Sequence, residues 1–391
     1  MLPAEKSREP IRSIAGLYLQ QVRAMSYDEL CARQDPPWAS IAFGAGGVAA
    51  ALLWRSRQRR SARDVEIAER WLSAAMGRSR DRSAFLGSDV SFTSSGARAS
   101  LHFGVAGLDL VRVLFNVSQD LESGRPGARS SAGKRTVQGP SLRALLARSR
   151  RARGGPTEFL LGSAGYLAGL VGLWRATELG SVLRAADALA EDLLSRARGA
   201  EDWTRGPALG FAHGRAGTFH ALLGWAAVSK RGLPSWFFPA MERLAADIEE
   251  KSRMGAPQPG GALLERSWCN GAAGHVLLWT RAYERSRSME HLEQARRAAE
   301  LLSTDTEGMS GDLCCGLGGR SYALLAMERV EPARGWEDRA LRMALLATEA
   351  LVSGPGQWPN GLYKGFPGLV CLASDLSVAS GKRAGFPLVE L

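Results

Sequence analysis

The sequence predicts an all-α fold built as two concentric rings of helices. Three observations lead there. A Gly-x-x-Gly element recurs seven times, each copy is followed by an apolar run of helical length, and an amphipathic stretch separates one run from the next. The copies are Gly44–Gly47, Gly104–Gly107, Gly162–Gly165, Gly214–Gly217, Gly271–Gly274, Gly316–Gly319 and Gly365–Gly368. Their first glycines stand 60, 58, 52, 57, 45 and 49 residues apart, a period that suits one helical hairpin per repeat.

The runs behind the glycines include VAAALLW after Gly47, TFHALLGWAAV after Gly217 and RSYALLAMERV after Gly319. Being apolar on nearly every face, they belong inside. Ala185–Arg196, Ala240–Glu250 and Leu292–Leu302 carry apolar residues at helical spacing with charge on the opposite face, so they belong outside. Few β-branched residues and no clean hairpin turns leave little basis for strands. The glycines fit a ring mouth, where converging helices need close backbone approach and a sharp turn into each helix. Their even spread makes residues 1–391 a single domain. The least regular stretch, 116–156, is rich in Gly, Ser and Arg and reads as a surface insertion between the second and third repeats.

Net charge is +11 and the pI is near 9.9, carried by arginine. The arginines are scattered over helix faces and no nucleic-acid motif is present, so a nucleic-acid partner is not expected. The densest run, Arg143–Arg153, reads as a solvated helix end or part of the insertion, with attraction of an acidic peptide as a weaker alternative. Trp38–Trp54 is uncharged over 17 residues, the lower limit for a spanning helix. It contains the first glycine element, so a buried inner helix is expected there and no membrane. The polar start MLPAEKSREP has no signal-peptide pattern, and five cysteines make no disulfide framework in a chain of 391 residues. A reducing cytoplasm is the expected location.

The reactive residues gather at one edge of the repeat. His213 directly precedes the fourth copy, Cys269 stands two residues before the fifth, and Cys314–Cys315 directly precede the sixth. Nearby helix N-termini favour thiolates. Three thiolates at one point suit zinc and leave a fourth tetrahedral position for water or substrate. The alternative is small buried cysteines packed beside glycines. His213, at the same edge, fits a general acid or base. His102, His220, His275 and His291 read as structural, and Cys31 and Cys371 as core or incidental.

FAHGRAG, SWCNGAAG, DLCCGLGG and GLYKGFPG resemble, in that order, the repeat motifs of lanthionine synthetase C-like (LanC-like) cyclases. EFLLGSAGYLAGL resembles the third repeat of that family, particularly in its eukaryotic-type members. The resemblance runs from about Ala39 to Leu376. It implies an α/α toroid with Zn2+ at its mouth, held by Cys269, Cys314 and Cys315, and His213 as the catalytic histidine. The family usually has Cys-His-Gly where this chain has Cys314-Cys315-Gly316. A subset carries the all-cysteine version, so metal is expected to be retained, and a substrate thiolate bound there should be the more nucleophilic. Trp268, Asn270 (where the family commonly has tyrosine), Arg266 (one residue closer to Cys269 than the arginine of lantibiotic cyclases) and Glu158 are candidate substrate-binding residues. Glu158 stands where bacterial cyclases often have aspartate and could orient His213.

The activity so implied adds a peptide cysteine thiol to dehydroalanine or dehydrobutyrine, giving a lanthionine or methyllanthionine ring. The substrate would be a dehydrated precursor peptide, and a separate dehydratase an expected partner, since no dehydratase-sized segment is present. Two other functions remain open. One is addition of glutathione to dehydroamino acids; the other is a toroid that binds peptide without turning it over. An unrelated zinc toroid of the prenyltransferase type shares the architecture but not the ordered motifs.

Overall fold

The computed structural model describes residues 4–87, 99–122, 139–199, 208–254, 265–354, 356 and 359–390. Among them are fifteen α-helices and no strand. Each glycine element opens an inner helix: α3 (Ala45–Arg59), α5 (Val105–Glu122), α7 (Ser163–Thr177), α9 (Arg215–Ala226), α11 (Ala272–Ser286), α13 (Leu317–Val330) and α15 (Phe366–Leu376). Every inner helix packs against the next and α15 packs back on α3, so the inner ring closes. These helices are nearly buried on all sides; every residue of α9 is buried. That explains why their sequences are apolar all round rather than striped.

The amphipathic stretches form the outer layer. They are α4 (Ala62–Gly77), α6 (Pro140–Ala152), α8 (Gly180–Gly199), α10 (Phe237–Met254), α12 (Met289–Glu300) and α14 (Trp336–Ser353). Each packs on the inner helix that precedes it. Among the described residues, the seventh inner helix, α15, has no outer helix after it. Its cover comes from the other end of the chain, where α1 (Ala4–Ala24) lies against α15 and α14, followed by the short α2 (Tyr27–Arg33). Tyr18 stacks on Phe366 at 5.3 Å and its hydroxyl donates to Asn360 at 2.9 Å, while Arg8 pairs with Glu337 at 2.6 Å.

The seven loops before the glycines share one geometry. The residue three before the first glycine turns inward, giving Ile41, Leu101, Phe159, Phe211, Trp268, Leu313 and Leu362, all buried. The second glycine of each element lies under that residue's carbonyl and, in all but the third repeat, beside the inward side chain of the preceding repeat; Gly165 has His102 there instead. A Cβ on Gly274 would stand 2.5 Å from Cβ of Phe211, and closer still to the carbonyl oxygen of Trp268. Space, not backbone angle, therefore demands these glycines; the leading ones are extended, with φ of −137° at Gly271 and −104° at Gly316. Adjacent loops are stitched by backbone bonds: Ala42 to His102 (3.1 Å), Leu160 to Ala212 (3.0 Å), Ala212 to Cys269 (2.8 Å), Cys269 to Cys314 (3.2 Å) and Cys314 to Tyr363 (2.9 Å). Tyr363 returns to Ala42 at 3.4 Å.

The axis of the ring is filled. Tyr363 donates to His102 Nδ1 at 3.0 Å, or accepts from it, and Trp268 stacks on Tyr363 at 5.3 Å. The C-terminal segment after α15 inserts Phe386 against Trp268 at 4.9 Å.

The segment expected as an insertion divides differently. Residues 116–122 complete α5, and Pro140–Ala152 is α6, which buries Leu142 and Leu145. A high arginine content on its outer face hid an ordinary outer helix. Residues 123–138 lie outside the described residues. Trp38–Trp54 forms a rim loop and the start of buried α3. Among the described residues no helix is long and apolar enough to cross a membrane.

Candidate metal centre

The sulfur cluster is assembled by two neighbouring loops. In the sixth, the buried carboxylate of Asp312 accepts from the backbone N–H groups of Cys315 (2.8 Å) and Gly316 (3.2 Å) and from the hydroxyl of Ser310 (2.9 Å). That ties the turn so that both Cys314 and Cys315 face the fifth loop. There Ser267 plays the same part, accepting from the N–H of Asn270 at 3.1 Å and lying 3.3 Å from Cys269 Sγ. Cys269 Sγ stands 3.6 Å from Cys315 Sγ, and Cys314 Sγ 3.7 Å from Cys315 Sγ. All three sulfurs lie within 4.8 Å of one another.

These separations fit a tetrahedral zinc. Sulfurs about 2.3 Å from one ion stand about 3.8 Å apart. Among the described residues this is the only group of three His, Cys, Asp or Glu side chains close enough to share an ion. None of the cysteines is in a disulfide. Cys31 and Cys371 lie elsewhere, Cys371 inside α15.

The cluster is set up to hold negative charge. Hydrogen bonds from Cys269 and Cys314, then the ammonium of Lys364, hold the Cys315 thiol far below the ordinary thiol range. Its two sulfur neighbours rise in return, Cys314 through its hydrogen bonds with Cys269 and Cys315 and through burial. Lys364 Nζ donates to Cys315 Sγ at 3.0 Å and lies 3.7 Å from Asp312. Sequence reading passed over this lysine. Its signal was its position, because Lys364 directly precedes the seventh glycine element as Cys315 precedes the sixth and His213 the fourth.

His213 stands on the loop next to Cys269, joined to it by the Ala212–Cys269 backbone bond, with its side chain one-third exposed. Glu158 Oε2 lies 3.1 Å from His213 Nδ1. Glu158 occupies the place in its repeat held by Ser40, Ser100, Ser267 and Asp312, each of which accepts from its own loop's backbone. In the third repeat a longer side chain reaches across to the fourth repeat instead. A proton on Nδ1 shared with the carboxylate makes Nε2 the basic nitrogen of the ring.

Two of the residues expected at a substrate surface are elsewhere. Trp268 is fully buried, stacked between Tyr363 and Phe386, because its position is the inward one of every loop. Arg266 is drawn outward, donating to the carbonyl of Leu301 at 3.2 Å and pairing with Asp305 at 2.6 Å. Asn270 is exposed beside Cys269, its side-chain amide 3.7 Å from the sulfur.

The family model for lanthionine synthetase C-like proteins matches residues 38–390. Among solved structures, a nisin cyclase superimposes with a TM-score of 0.63 at 13% identity, over 97% of this chain and 96% of that one. The likeness to that structure establishes the α/α toroid.

Proposed function

Because the chain belongs to the lanthionine synthetase C-like family, we propose that it closes thioether rings in a dehydrated peptide supplied by a separate dehydratase, with zinc held by Cys269, Cys314 and Cys315. The supporting observation is the convergence of three sulfurs and the Glu158–His213 pair on adjacent loops of one mouth. A zinc ion there would acidify a substrate thiol at neutral pH. The thiolate sulfur attacks the β-carbon of dehydroalanine or dehydrobutyrine; the S–C bond forms as the C=C π pair moves onto the carbonyl as an enolate. His213 Nε2 takes the proton that the thiol loses and returns it to the α-carbon of the enolate, and Glu158, at Nδ1, stabilises the ring's orientation and its positive form. Lys364 offsets the charge that a third thiolate adds where the family more often has histidine.

The test uses zinc-loaded protein and a dehydrated peptide carrying one cysteine. Ring closure leaves mass unchanged but removes the alkylatable thiol. Undiminished alkylation after prolonged incubation would sink the cyclase reading. A mass gain of one glutathione, seen only when that thiol is added, would move the assignment to glutathione addition.

A further inference from the structure

The opposite end of the ring carries a second polar centre. Where the inner helices finish, Arg175, Arg281, Arg285 and Arg329 meet Glu284 and Glu390 around a cavity of about 270 Å3. Four arginines against two glutamates leave an excess of two positive charges in its wall. Both carboxylates are already engaged by one arginine: Arg329 donates to Glu284 at 2.7 Å and to Glu390 at 2.9 Å. The other oxygen of Glu390 accepts from the backbone of Phe386 at 3.1 Å.

Arg281 is held differently. Its nearest carboxylate oxygen is 3.9 Å away, and it is the oxygen that Arg329 holds. Opposite it, inside α9, stands Gly224, on which a Cβ would come within 2.7 Å of Arg281 Nη1. A glycine within a helix is less favourable than alanine, and here it leaves the room that the guanidinium occupies. One turn deeper on the same helix, His220 is fully buried with neither ring nitrogen hydrogen-bonded. Burial, and then the nearby Arg281, Arg329 and Arg175, keep that imidazole neutral. The chain thus fixes a planar, forked cation in a half-enclosed cavity and leaves its donors unspent, an arrangement matched to an oxyanion.

We propose that this cavity is a binding site for a dianionic phosphate group, with the Arg281 guanidinium as its principal anchor. The excess of two charges selects a dianion over a single carboxylate, and the cavity has room for a small phosphorylated molecule rather than the bare ion alone. The site lies at the far ends of α11 and α13 from the cysteine loops, and its test does not depend on the metal reading.

Inorganic phosphate is the probe, titrated by calorimetry and thermal melting at constant ionic strength set with chloride, with acetate in parallel. The expected result is saturable binding and a rise in Tm with phosphate and not with acetate. Arg281→Met should weaken it at least 10-fold with helix content unchanged. Gly224→Ala, which displaces the guanidinium and keeps the charge, should weaken it several-fold and serves if Arg281→Met does not fold. No saturable phosphate binding by the parent, an equal response to acetate, or undiminished affinity in the variants would overturn the site.

Discussion

The two halves of the rim share a backbone and differ in chemistry. In the first three repeats, the two residues ahead of the glycine element are Ala42–Phe43, His102–Phe103 and Leu160–Leu161, almost all buried. In the last four they include His213, Cys269–Asn270, Cys314–Cys315 and Tyr363–Lys364. The same backbone stitching joins loops in both halves. A repeat that closes a ring therefore does not by itself make a site; the scaffold offers equivalent positions and side-chain identity decides which become reactive. His102 shows the point. It is two residues ahead of its glycine as Cys269 is, yet burial pushes its pKa down to about 3, and stacking against Phe159 keeps it structural.

The sharpest break of this contrast is removal of sulfur. Cys269→Ala and Cys315→Ala are each expected to drop zinc from about one per chain to near none, measured by atomic emission on folded protein. Phe103→Ala, on the inert half, should keep its zinc while losing about 3–5 kcal/mol of stability to denaturant. Zinc retained in the cysteine variants would dissolve the distinction. Next, His213→Asn should slow ring closure about 10²–10⁴-fold with zinc content unchanged. Lys364→Met should weaken zinc binding about 10- to 100-fold in a chelator competition, the size usual for groups that support ligands. Lys364→Arg should recover most of it; equal affinity in all three would assign the lysine to the surface. The smallest effect expected is that of Glu158→Gln, about 10-fold in rate at unchanged zinc occupancy, since the amide still accepts at Nδ1 but carries no charge.

The toroid and the sulfur cluster were legible because they are properties of a register. Once the glycines are aligned, Cys269, Cys315 and His213 fall at the rim without further information. Trp268 was misread for want of one more step in that register, since the residue one position earlier points into the axis in every repeat. The outer partner of α15 was overlooked at the other end of the chain. Its pattern is plain enough, with Ile11, Ala15, Tyr18, Leu19 and Val22 buried at helical spacing, but it precedes the first glycine element and so falls outside the repeat. The arginines at the base had no local signal. Arg281, Gly224 and Glu390 come together only through the packing of neighbouring inner helices and the return of the C-terminal segment, and each alone reads as an ordinary residue.

The clasp of α1 on α15 also sets an order of events during synthesis. α1 leaves the ribosome before every helix of the ring and is the last of them to find its partner, because α15 begins at Phe366. At 5–20 residues per second the apolar face of α1 waits roughly 20–70 s, with six hairpins forming behind it. Until then the nascent chain is an open arc with an unpaired edge at each end, and the two edges complement each other. A neighbouring nascent chain offers the same complement, so on a crowded polysome ring closure competes with exchange of the first helix between chains.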